Sequence, residues 1–180
     1  MSPAPKTTTV LDTVRLRPLR ESDEQVVRAA HEAMANSDEF TFALGLTPAM
    51  PWELYLSVLK DYRQGINLPG GTVAATYLVA TVDDQVVGRT SIRHTLNDAL
   101  RRRGGHIGYG VLAPFRRRGY GTAILRHSLT VARAIGIDRI LITCDDANLA
   151  SRRIIESCGG VLESVEPWTD GSQIRRYWID

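Results

Sequence analysis

The stretch Val111-Leu112-Ala113-Pro114-Phe115-Arg116-Arg117-Arg118-Gly119-Tyr120-Gly121-Thr122 runs an apolar strand into a basic glycine turn and then into a helix start. The first amides of a helix lack intrahelical acceptors and sit at the positive end of its dipole, so together they can cradle phosphate oxygens. Gly119 and Gly121 are expected to let a pyrophosphate approach the backbone, because a side chain at either position would fill that space. Arg116, Arg117 and Arg118 supply neutralising charge, bidentate where the geometry allows. A glycine turn before a helix also serves purely structural ends. The segment lacks the Gly-Lys-Ser/Thr ending of a P-loop and the spacing of a three-glycine dinucleotide fingerprint, so nucleoside triphosphate and NAD sites are set aside.

Two imidazoles precede this stretch. His106 and His94 titrate near neutrality and could take a proton from an amine directly or through water, although a histidine near a strand end is often a hydrogen-bonded packing residue. Trp52, Tyr55 and Tyr62 recur at helical spacing and read as core before they read as an aromatic cage. Cys144 and Cys158 are the only cysteines, too few for a disulfide framework and without metal-site spacing. They suit packing roles in a reducing compartment, and no metal is expected.

These residues need a scaffold. The chain has 180 residues, 43% apolar and 23% charged, which fits one soluble globular domain with one core. Its 22 Lys and Arg against 20 Asp and Glu leave a net charge of +2, too small a field to recruit nucleic acid or an anionic membrane. Basic function must therefore be local, at Arg101–Arg103 or Arg116–Arg118, and the first cluster reads equally well as a solvated loop. No aromatic platform for bases interleaves with either. Met1–Thr9 has no apolar h-region and no run approaches ~18 apolar residues, so a soluble cytoplasmic protein is expected.

Residues 1–12 read as a flexible tail, and 13–180 as a single domain. A strand from Val14 leads to a helix capped by Ser22 or Asp23 and carrying Val26, Val27, Ala30 and Met34. A second helix carries Trp52 to Tyr62 and ends near Gly65. Thr76–Val82 and Val86–Ile92 form a hairpin about Asp83 and Asp84. Leu96–Gly105 is expected to be a loop and His106–Leu112 a strand, whose Gly108 and Gly110 mark a bulge or a close ligand approach. A helix follows over Tyr120–Ile135, then a buried strand at Ile140–Ile142, a helix begun by Asp146 or Asn148, and strands at Val161–Val165 and Gln173–Ile179. The fold class is mixed α/β, with about seven strands and about four helices.

Arg116-Arg117-Arg118-Gly119-Tyr120-Gly121 resembles motif A of the GNAT superfamily of N-acetyltransferases, Arg/Gln-x-x-Gly-x-Gly/Ala. The resemblance runs from about Val14 to Asp180 and takes in a second motif at Thr143–Gly160 with its Asn148. It is closest to a branch of predicted acetyltransferases of unassigned substrate, in which Arg93-His94-x-Leu96-Asn97, Gly105-His106-Ile107-Gly108-Tyr109 and Gly159-Gly160-Val161-Leu162-Glu163 recur. The resemblance implies a mostly antiparallel central sheet in which two neighbouring strands, one of them His106–Ala113, splay apart to hold acetyl-CoA. Val111, Leu112 and Ala113 would border its pantetheine arm, and Asn148 and Ser151 would belong to the same site.

The activity implied is transfer of an acetyl group to a primary amine of a small molecule or peptide by direct attack, without metal. The Tyr109 amide would face the carbonyl oxygen. In many relatives a tyrosine of the second motif protonates the departing thiolate, but Ile155 stands at that position, leaving water, Ser151 or Tyr109 as substitutes. Asp38, Glu39 and Glu53 fall where relatives cover the acceptor site, and either recognise a cationic amine or are ordinary surface carboxylates. The competing class is a non-catalytic acyl-CoA sensor. Neither nucleic acid nor membrane is an expected partner, and a homodimer stays open.

Overall fold

The computed structural model describes residues 10–37 and 41–180. Its largest sheet takes β1 (Arg15–Arg17), β2 (Ala75–Val82), β3 (Gln85–Arg93) and β4 (Ile107–Val111) in that spatial order, each pair antiparallel. β2 and β3 are joined by Asp83 and Asp84 at φ 47° and 62°. Two consecutive positive φ values are what a tight hairpin turn requires, and aspartate tolerates them better than β-branched residues do.

Helices cover both faces of this sheet. On one face lies α5 (Tyr120–Ala134), whose Ser128 hydroxyl donates to Thr90 of β3 at 2.9 Å and whose Ile124 meets the α-carbon side of Gly88. On the other, α2 (Glu24–Ser37) and α3 (Trp52–Gln64) bury Val27, Met34, Trp52 and Tyr55 against Tyr77 and Val79 of β2. Trp52 and Tyr55 thus belong to the core, with ring centroids 5.4 Å apart. Asp23 closes the entry to α2 from a short 3-10 turn, accepting from the Arg20 amide at 2.7 Å and pairing with Arg17 at 2.6 Å.

A second antiparallel sheet orders β5 (Ile140–Asp145), β7 (Gln173–Ile179) and β6 (Val161–Pro167). α6 (Leu149–Ser157) follows β5 and packs against α5 through Ile154 and Gly121. The seven strands among the described residues and the mixed α/β class agree with the sequence reading.

Two local features differ from it. Within the expected loop 96–105, Asn97 accepts the Leu100 amide at 2.9 Å and caps the short helix α4 (Asp98–Arg102). Within the expected tail, α1 (Val10–Thr13) lies on α5, where His127 Nε2 donates to the Leu11 carbonyl at 2.9 Å. Among the described residues no helix is long and apolar enough to cross a membrane.

Candidate active site

β4 and β5 meet at one rung. The His106 amide donates to the Leu141 carbonyl at 2.7 Å, and the Leu141 amide donates to Nδ1 of the His106 ring at 2.9 Å. The imidazole stands in for a strand carbonyl, because the carbonyl of His106 itself is committed to the Arg93 amide of β3 at 2.8 Å. Gly105, at φ 60°, permits the approach: a β-carbon there would lie 2.4 Å from the Leu141 carbonyl oxygen. The Gly104 amide adds a bond to the Thr143 hydroxyl at 2.8 Å. Among the described residues no further main-chain bond joins the strands, and β4 continues without a partner on that side.

The direction of β4's free backbone groups follows from its pairing with β3. Arg93 bonds to His106 at one end and Leu112 to Val87 at the other. Hydrogen bonding alternates along an antiparallel pair, so Gly108 and Gly110 also face β3, while the amides of Ile107, Tyr109 and Val111 face the gap toward β5. A donor strip facing an open wedge suits an extended amide-bearing chain. The Val111 carbonyl on the same edge accepts Arg116 Nε at 3.1 Å, which anchors the basic loop to the strand.

The loop itself rises from a 3-10 turn at Ala113–Phe115, with Leu112 immediately before it. Arg117 sits at φ 64° and Gly119 at φ 82°, and Arg118 stacks over Phe115 at 5.8 Å. Ala123 bonds to Gly119 at 3.2 Å as the α5 ladder starts, so the amides of Tyr120, Gly121 and Thr122 form the helix's donor end. The two glycines do different work. A β-carbon on Gly119 would meet only Val10 at 3.6 Å, so its left-handed φ is what demands glycine. A β-carbon on Gly121 would lie 2.8 Å from Ile154 Cδ1, so this glycine sets the contact between α5 and α6. Its missing side chain opens toward α6, which was not the direction expected from the sequence.

Asn148 caps α6 by accepting the Ser151 amide at 2.9 Å. Ser151 shares a 3.0 Å hydrogen bond with the Tyr109 hydroxyl, linking α6 to β4. Burial raises the pKa of that phenol, and the bond to Ser151 only partly opposes the rise. Burial also raises the neighbouring Cys144 thiol, to about 11. Ile155 is fully buried in the core one turn further along α6.

The remaining candidates are dispersed. His94 lies at the far end of β3, with Nε2 2.9 Å from the Thr76 hydroxyl, and burial followed by the Arg63 charge lowers its pKa. Burial, then Arg101 and Arg93, also lowers that of His106. Glu53 is exposed in the first turn of α3 and Tyr62 is half-buried, while Asp38 and Glu39 fall outside the described residues. Of the first basic cluster, Arg103 pairs with Asp145 at 3.2 Å and Asp170 at 3.6 Å, tying the approach to β4 to the second sheet. Arg89, buried in β3, is a site neighbour that the sequence reading passed over, although an arginine inside Val86–Ile92 was its signal. A cavity of about 470 Å³ lined by Arg133, Arg139 and Trp178 lies at the other end of α5 from the basic loop. Among the described residues no three His, Cys, Asp or Glu cluster as metal ligands would.

Solved structures share this fold. The chain is similar to yncA of Salmonella typhimurium, solved with its cofactor acetyl-CoA, at 16% identity, covering 93% of this chain and 94% of that one with a TM-score of 0.65. It is similar to Mycobacterium smegmatis RimJ in complex with CoA-disulfide at 23% identity, covering 92% and 81%, TM-score 0.66. A spermidine N-acetyltransferase SpeG chimera from Vibrio cholerae and hSSAT matches at 14% identity, covering 93% and 95%, TM-score 0.62. No curated protein sequence is significantly similar to the chain. The family model for the acetyltransferase (GNAT) domain matches residues 13–161, which contain the wedge, the basic loop and α6, and the chain belongs to that family.

Proposed function

We propose that this protein is a cytoplasmic acetyl-CoA-dependent N-acetyltransferase acting on a primary amine in a ternary complex. The observation that carries the reading is the wedge between β4 and β5, with the Tyr109 and Val111 amides facing it and the donor end of α5 beside it. Acetyl-CoA, when bound, supplies a thioester open to direct attack by a neutral amine. The Arg116–Thr122 loop would hold its pyrophosphate through amides and guanidinium groups. The edge of β4 through Val111, Leu112 and Ala113 would guide the pantetheine arm, with Asn148 and Ser151 opposite.

The Tyr109 amide is fixed by the sheet and would stabilise negative charge as it develops on the carbonyl oxygen. We assign the proton for the leaving sulfur to the Tyr109 hydroxyl, which burial keeps protonated and which Ser151 connects to α6. His106 has a different part. With Nδ1 accepting the Leu141 amide, the neutral ring carries its proton on Nε2 and has no lone pair left for an amine. It acts as the pin from which the wedge opens. His94 remains the imidazole with base chemistry available.

A non-catalytic acyl-CoA sensor is favoured by one observation, the buried Ile155 where many relatives carry tyrosine. Thiol release from acetyl-CoA with a panel of primary amines separates the two readings. Amine-dependent release supports the enzyme, and CoA binding without release under any amine supports the sensor.

A further inference from the structure

The sheet face opposite α5 carries a cationic arrangement that acetyl-CoA binding does not use. Register places Arg89, Ser91 and Arg93 of β3 on that face, beside Gly108 and Gly110 of β4. Both guanidinium groups converge where Gly108 has no side chain. A β-carbon on Gly108 would stand 3.5 and 3.6 Å from the Nη1 and Nη2 atoms of Arg93 and 3.6 Å from Nη1 of Arg89. Arg89 is 3% exposed and donates to the carbonyls of Gly108 at 3.0 Å and Thr41 at 2.7 Å. Arg93 is half-buried, and its Nη1 donates to the carbonyls of Gly104 and Gly105 at 3.1 Å each. Its Nε and Nη2 have no hydrogen-bond partner, and no carboxylate pairs with it, among the described residues.

The Arg93 guanidinium has lost hydration on burial and keeps Nε and Nη2 without a partner among the described residues, so an anion between it and solvent would be held strongly. The place is informative. Gly108 adjoins Tyr109, whose amide faces the wedge, so Arg93 reaches within about one side-chain length of the reacting carbonyl. The basic loop and α6 lie on the α5 side, so a molecule arriving over Arg93 is the second substrate.

We propose that Arg93, backed by Arg89, is a subsite for a carboxylate held beside the reacting acyl group, and that the acceptor is an amino carboxylate. This rests on the acetyltransferase reading above. A planar guanidinium with two free donors matches a carboxylate's two oxygens, and the glycines of β4 leave room for the amine to reach the wedge. The carboxylate takes no part in the bond changes: the amine nitrogen gains the acetyl carbon, the carbon–sulfur bond breaks with its electron pair on the sulfur of CoA, which takes up one proton, and the amine's proton leaves through base or water.

The test measures thiol release from acetyl-CoA with free α- and ω-amino acids and with the carboxamide of each. Wild type should favour the carboxylates by about 10- to 100-fold in kcat/KM, the range expected for hydrogen bonds to a charged group. Arg93→Gln should collapse that preference while the carboxamide rates change little. A fall in both by the same factor shows a purely structural arginine and overturns the inference. Amines turned over with no carboxylate preference overturn it too, and leave acyl transfer standing. If succinyl-CoA outperforms acetyl-CoA and the gain vanishes in Arg93→Gln, the carboxylate belongs to the donor and the acceptor assignment falls. Should no amine react, melting of the CoA complex with and without each amino acid decides: an Arg93-dependent rise supports the subsite, and no rise overturns it.

Discussion

Nδ1 of His106 accepts the amide of Leu141 at 2.9 Å while the amide of His106 donates to the carbonyl of Leu141 at 2.7 Å. One residue closes both halves of a rung between two sheets, and the strands separate beyond it. The mechanical role proposed for the ring can be separated from base chemistry by experiment. His106→Ala leaves the buried Leu141 amide without its acceptor, which should cost about 1–3 kcal/mol. His106→Asn offers Oδ1 near the position of Nδ1 and should recover much of that stability, together with turnover. A general base lost in the same variant would instead lower turnover roughly 10²–10⁴-fold with stability intact. Melting and thiol-release measurements on the two variants decide between the roles.

The same bond predicts a pH dependence. Burial, Arg101 and Arg93 hold the folded-state pKa of His106 below the ordinary 6.5, and burial and Arg63 do so for His94. A base with a depressed folded value leaves stability whole above its unfolded pKa, and stability is lost as pH falls toward the folded one, because the unfolded chain binds the proton first. Protonated His106 would also point a donor at the Leu141 donor. Denaturant midpoints should therefore fall as pH drops below about 6.5. The slope should flatten in His106→Asn. An unchanged slope there would place the titration elsewhere.

CoA should stabilise the native state by about 2.7 kcal/mol at a hundredfold excess over Kd. The glycines of the loop should respond differently to substitution. Gly119→Ala forces an alanine into φ 82° with only an ordinary contact to Val10, so backbone strain rather than a clash should bend the loop and weaken CoA binding. Gly121→Val drives a branched side chain into Ile154, an overpacking worth about 1–3 kcal/mol. Adding Ile154→Ala should restore part of that loss. A Gly121→Val protein of full stability with no CoA binding would show that the side chain enters the pyrophosphate space instead.

Periodicity was a sufficient guide to most of the fold. The apolar spacing of Ile124, Leu125, Leu129 and Ala132 marks α5, and these side chains do fill its buried face. The Asp83-Asp84 turn was equally legible, since few residues accept consecutive positive φ. What stayed hidden depends on pairs distant in sequence. Nothing local in Gly105-His106 says that the imidazole will cap Leu141, and Gly121 reads as a phosphate glycine until Ile154 of another helix is placed against it. α4 escaped notice because its five residues have no apolar period, only the Asn97 cap. Arg89 and Arg93, four apart in β3, share a face by strand alternation, but the gap that Gly108 leaves beside their guanidinium groups appears only once β4 is aligned with β3.

The Tyr109 hydroxyl shares a 3.0 Å hydrogen bond with Ser151. Tyr109→Phe keeps the main-chain amide and the ring but removes the hydroxyl, so CoA affinity should hold while kcat falls by roughly 10²-fold, the low end for general acid catalysis. Because burial raises the phenol's pKa, the wild-type rate should show no loss from its ionisation at neutral or mildly alkaline pH. The variant's profile should therefore keep the same shape at a lower level. A donor whose thiol is more acidic needs less help to depart, so an acetyl thioester of an aromatic thiol should recover much of the rate in Tyr109→Phe. Equal losses with both donors would remove the hydroxyl from the departure step and leave Tyr109 contributing through its amide alone.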